Sequence, residues 1–105
     1  MSTVWEVLYD AGADLVLSGH EHYYERFAPL DADGNRDDQD GMRQFIIGTG
    51  GGDQTLTATP REHSEVIGLE TYGVLKLTLK TGGYDWEYVP VEGSTFTDSG
   101  SGSCR

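Results

Sequence analysis

Cysteine is nearly missing from this 105-residue chain: one thiol, Cys104, is present, and it cannot close a disulfide within the chain. Basic residues are scarce too, seven against eighteen acidic ones, for a net charge of −11. That balance argues against nucleic acid and against an anionic membrane surface as partners. An anionic substrate would need a local source of positive charge, and a bound metal ion would supply it. No apolar run is long enough to cross a bilayer, and no charged-then-apolar leader pattern follows Met1. Hydrophobic residues make up only 36% of the chain, which implies a thin core in one small domain.

What is present is organised around Leu15-Val16-Leu17-Ser18-Gly19-His20-Glu21-His22. The apolar run is bounded by Gly12 and Gly19 and is too short for a helix. It reads as a buried inner strand whose carboxyl end opens into a His-x-His loop. Ligands of open α/β sheets bind at such strand ends. If the loop stays extended, His20 and His22 point to the same side with alpha carbons roughly 6.5 Å apart. Two imidazoles so placed can serve two metal ions about 3.5–4 Å apart.

Upstream, Ser2 or Thr3 caps a short helix with Val4, Val7, Leu8 and Ala11 on one face, widened by Trp5 and Tyr9 and stopped by Gly12. Helix then strand is half of an α/β unit, and the expected parallel partner strand is missing. The chain therefore reads as beginning inside a crossover. Downstream, Tyr23–Pro29 is extended, Asp31–Asn35 is a turn cluster, and Arg43–Ile47 is a strand ending at the glycine run Gly48–Gly52. Asp37, Asp38 and Asp40 lack the glycine and terminal glutamate of a calcium loop and read as solvated. No helix clearly follows the glycine run, so a loop needing close backbone approach is preferred to a phosphate cradle. Leu75, Leu77 and Leu79 alternate with polar residues, then Thr81-Gly82-Gly83 turns into Tyr84, Trp86 and Tyr88: a β-hairpin with an aromatic core face. The division expected is 1–93 as folded domain and 94–105 as a Gly/Ser/Thr-rich tail with little to bury.

Gly19-His20-Glu21-His22-Tyr23-Tyr24-Glu25-Arg26 resembles the last metal-binding motif of the calcineurin-like metallophosphoesterases, in particular the purple acid phosphatase branch. Gly48–Gly52 and Thr95–Gly100 are similar to the carboxyl-terminal part of bacterial secreted members. The resemblance implies an α/β sandwich and hydrolysis of phosphate esters by metal-activated water. It also implies His20 on one metal ion and His22 on the other, the ions being iron, manganese or zinc, which imidazole suits equally. Tyr24 and Arg26 become candidates for substrate contact, beside a reading in which Tyr24, Glu25 and Arg26 pack and pair to fix the loop.

The family's earlier motifs, Asp-x-His, Gly-Asp-x-x-Asp or Tyr, and Gly-Asn-His, are not in this sequence. His63 follows the histidine pair, whereas the family's lone histidine precedes it, so it reads as a polar loop residue. The expectation is an α+β carboxyl-terminal fragment of a metallophosphoesterase: one helix, one inner strand, then mostly antiparallel strands ending in a hairpin. It would be inactive without the missing amino-terminal part of its domain. A secreted or periplasmic parent follows from the branch, where Cys104 would find a partner in the missing segment. Two other readings stay open: a mononuclear metal module using His20, His22 and Glu21 or His63, and a non-catalytic β-rich interaction domain.

Overall fold

Burying a tryptophan sets how the first helix lies. In the computed structural model, which describes residues 3–105, α1 (Thr3–Asp10) turns Trp5 inward, and the indole Nε1 donates to the Asp31 carbonyl at 2.9 Å. Leu8 and Tyr9 join it against Ala13, Val16, Leu30 and Met42. Val4 and Val7, expected on the buried face, are exposed instead. The physical reason is size: the indole offers far more area to bury than two valines, and the helix rotates to it. Gly12 takes φ 89° and ends the helix, a conformation that costs glycine nothing.

A four-stranded mixed sheet follows, formed by β1 (Leu15–Ser18), β2 (Tyr24–Phe27), β3 (Arg43–Ile47) and β4 (Ser64–Gly68) in the order β1-β3-β2-β4. β1 runs parallel to β3, with Leu15 opposite Arg43, and β2 is antiparallel to both β3 and β4. The first strand thus has a parallel partner within this chain, contrary to the sequence reading. Nor is it an inner strand: β1 lies at the sheet edge, and Leu17 is 50% exposed. A three-residue apolar run signals two apolar faces, Leu15 to the intersheet core and Val16 to the helix, but says nothing about edges. The inner positions belong to β3 and β2.

The second sheet is antiparallel, β5 (Gly73–Lys80), β6 (Gly83–Pro90) and β7 (Ser99–Ser103) in chain order. The expected hairpin forms, with Lys80 opposite Gly83 across Thr81-Gly82. β7 corrects the expectation of an unpacked tail. Residues 99–103 pair with β6, and Phe96 and Asp98 reach into the core. Glycine is the reason. A Cβ on Gly100 would lie 2.4 Å from the Trp86 ring and one on Gly102 2.4 Å from the Tyr84 ring, so side-chain-free strand backbone receives both aromatics.

Between the sheets lies an aromatic core of Tyr24, Phe45, Tyr84, Trp86 and Tyr88, with Leu15, Ile47, Leu75, Leu77 and Phe96 at its margins. Tyr24 and Tyr88 stand 4.9 Å apart between ring centroids, and Phe45 meets Trp86 edge-on at 5.4 Å. The other face of the four-stranded sheet carries α1 and a smaller cluster of Tyr23, Phe27 and Ile46. The chain is an α+β domain of two packed sheets, with α1 against the outer face of the four-stranded one.

Candidate functional site

Parallel pairing of β1 and β3 sends both chains out of the sheet at the same end. The His-x-His turn after β1 therefore lies beside the glycine-rich loop after β3. Contact is close enough to require glycine: a Cβ on Gly48 would lie 1.8 Å from the Glu21 carbonyl oxygen. The Gly48 amide donates to the Tyr23 carbonyl at 3.1 Å. The preference for close backbone approach over a phosphate cradle thus has a specific partner, the histidine turn itself.

The turn is bent, not extended. Glu21 N–H donates to the Gly19 carbonyl and Tyr23 N–H to the Glu21 carbonyl, each at 2.9 Å, and His20 takes φ 75°. The same-side rule for an extended strand consequently does not apply to His20 and His22. Both side chains are exposed. His22 Nδ1 lies 2.7 Å from the Asp53 carbonyl oxygen. A carbonyl has no proton to give, so Nδ1 carries the hydrogen, and in the neutral ring Nε2 holds the lone pair. His22 Nε2 and both nitrogens of His20 make no hydrogen bond among the described residues.

Nothing completes a ligand set around this pair. Among the described residues, no three His, Cys, Asp or Glu side chains converge on one point. The Glu21 carboxylate faces Arg61 at 3.4 Å. His63 lies at the opposite end of β2, where its carbonyl accepts from Ala28 N–H, four residues and roughly 13 Å of strand from Tyr24. It lines an open cleft of about 350 Å³ with Phe27, Leu30 and Arg61, so the mononuclear set with His63 is not assembled. The imidazoles fit a metal as neutral nitrogen donors, but two donors do not complete a two-metal centre.

Tyr24 and Arg26, candidates for substrate contact, are committed to the sheet interface. The fully buried Tyr24 hydroxyl donates to Asp98 Oδ2 at 2.5 Å. Arg26 donates Nε to the same oxygen at 2.8 Å and Nη2 to Oδ1 at 3.2 Å, and Trp86 Nε1 adds a bond at 3.3 Å. Arg26 and Arg43 both reach Glu65 Oε1, at 2.5 and 2.6 Å, and both guanidinium groups sit about 5 Å from the Trp86 ring centroid. Burial pushes the Asp98 carboxyl upward, but the hydrogen bonds from Arg26 and Tyr24 outweigh it and leave the group below the usual aspartate range. Burial, reinforced by Asp98, raises the Tyr24 phenol and keeps it protonated. Glu25, fully buried on the opposite face, accepts from Arg61 N–H at 3.3 Å through Oε2, while Oε1 has no hydrogen-bond partner among the described residues.

Asp98 and Glu65 are the groups that sequence reasoning missed. Each lies 39 or more residues from Arg26 along the chain, and neither stands in a pattern that announces a partner. Comparison with protein-family models, curated proteins and solved structures finds no match to this chain.

Proposed function

We propose that this chain is the carboxyl-terminal part of a dinuclear metal-dependent phosphoesterase, with His20 and His22 each donating one imidazole to a different ion. The observation that carries the reading is the state of His22. Its Nδ1 is tied to a carbonyl while Nε2 stays free at the shared end of β1 and β3. An imidazole held at one nitrogen and open at the other is arranged as metal ligands are. Iron, manganese or zinc ions would, when bound, generate a nucleophilic water and neutralise charge on a phosphate ester. The chain offers a phosphate little else: its net charge is −11, and Arg26 and Arg43 are engaged by Asp98 and Glu65. A segment outside this sequence would supply the bridging carboxylate and the remaining ligands, in a secreted or periplasmic parent.

Two measurements test this. Zinc added to the chain should shift the ring resonances of both histidines weakly, and His20→Ala and His22→Ala should each remove one set. With manganese, iron or zinc, p-nitrophenyl phosphate should not turn over on the chain alone; turnover abolished by His20→Ala would overturn the fragment reading. A second reading, a β-rich interaction domain with incidental histidines, is favoured by the lack of a converging third ligand among the described residues. It requires that zinc leave both rings unmoved.

A further inference from the structure

His22 is held by more than the hydrogen bond at Nδ1. A Cβ on Gly52 would lie 2.8 Å from His22 Cε1 and 3.1 Å from both ring nitrogens, so the Gly52 backbone lies against the imidazole. Gly52 is outside the left-handed region, so contact and not φ excludes a side chain there. Its carbonyl accepts from the Tyr72 hydroxyl at 2.8 Å, which ties this point of the loop to the residue just before β5. The next carbonyl, of Asp53, accepts from His22 Nδ1, and Thr55 N–H donates to the His22 carbonyl at 3.3 Å. His20, two residues away, has none of these supports. The two histidines share a turn but not an environment.

We infer that the loop Gly48–Asp53, anchored by Tyr72, is a positioning element for His22. It fixes the ring in the Nδ1-protonated tautomer and presents Nε2 as the only available donor, whereas His20 stays free to choose either nitrogen. The tautomer assignment stands on the loop geometry alone; its use in metal ligation rests on the reading proposed above. Supporting groups of this kind alter metal affinity by about 10–100-fold when removed.

Imidazole nitrogen NMR on the metal-free 105-residue chain tests the inference. The pH would be about 8.5, two units above the ordinary histidine pKa of ~6.5. His22 should show a pyrrole-type Nδ1 and a pyridine-type Nε2, and His20 a mixture. Gly52→Ala should drive the ring off the loop and move the His22 pattern toward that of His20. Tyr72→Phe, which removes one hydroxyl and keeps the ring, should do so in part and carries the test should Gly52→Ala fail to fold. Asp53→Ala retains the accepting carbonyl and should change nothing. Protonation of His22 at Nε2 in the wild-type chain overturns the inference, as does a folded Gly52→Ala with an unchanged His22 pattern. If the tautomer holds but zinc moves neither ring, the positioning stands and the phosphoesterase reading falls.

Discussion

Four hydrogen bonds converge on the Asp98 carboxylate from three side chains, Tyr24, Arg26 and Trp86. With 8% of its side chain exposed and 14% of Arg26, this ion pair is largely cut off from solvent screening. Breaking a buried pair by removing one partner leaves the other charge uncompensated and costs about 3–5 kcal/mol. Asp98→Ala should therefore lower the unfolding free energy by about 3 kcal/mol in urea titration; a loss below about 1 kcal/mol would show the network to be energetically idle. The pH dependence has a definite sign. A carboxyl held below its unfolded value of ~3.9 gives stability that is complete above that value and is lost as pH falls through the lower folded value. Asp98→Asn should accordingly flatten the acid limb of a stability profile below about pH 4 and leave its shape at pH 6–8 unchanged. Little of this was legible in the sequence. Tyr24-Glu25-Arg26 could be read as a packing and ion-pair unit, and its alternation in β2 sends Tyr24 and Arg26 toward one sheet and Glu25 toward the other face. The acidic partner was not legible, because an aspartate 72 residues from Arg26 in a Ser/Thr/Gly stretch looks like any solvated loop carboxylate.

Among the elements, β7 carries the sharpest difference between pattern and structure. Its sequence, Ser-Gly-Ser-Gly-Ser, has no apolar residue and so no period-2 signal. The alternation is there nonetheless, in glycine: Gly100 and Gly102 occupy the face that aromatic rings cover. A hydrophobic pattern records what a strand contributes to a core, and β7 contributes room. Gly100→Ala should be destabilising by about 1–3 kcal/mol, the usual cost of forcing extra volume against a packed ring, while Ser101→Ala on the exposed face should fall within about 0.5 kcal/mol of wild type. Equal effects at the two positions, by thermal or urea unfolding, would show that β7 is not seated on Trp86. The hairpin β5–β6 was legible because both of its signals, leucine alternation and a two-residue glycine turn, are local. The helix was legible in extent but not in orientation, since the apolar stripe left the choice between Trp5 and the valines to tertiary contacts.

Across the whole molecule, each of the two sheets has an edge strand that carries an exposed leucine. β1 and β5 are edge strands, and Leu15 from one and Leu75 and Leu77 from the other pack at the margin of the same core. Farther along each strand, on the same faces, Leu17 is 50% and Leu79 76% exposed. Unpaired backbone and exposed leucines together make an edge that favours strand addition. Charge opposes it, because two copies at −11 repel. These two terms respond differently to salt. Screening lengths shrink from about 30 Å at 0.01 M to about 10 Å at 0.1 M, which weakens the repulsion and leaves leucine burial nearly untouched. Self-association of the chain should therefore increase with ionic strength, the reverse of an assembly held by ion pairs. Sedimentation velocity at rising protein concentration, in low and in moderate salt, measures this directly. Leu17→Lys should suppress association by placing a charge at the β1 edge, whereas Val4→Lys, on the exposed side of α1, should not. A monodisperse monomer at high concentration in both salts, with no binding of a dye specific for exposed apolar surface, would mean that these two edges are adequately protected by their own charge and twist.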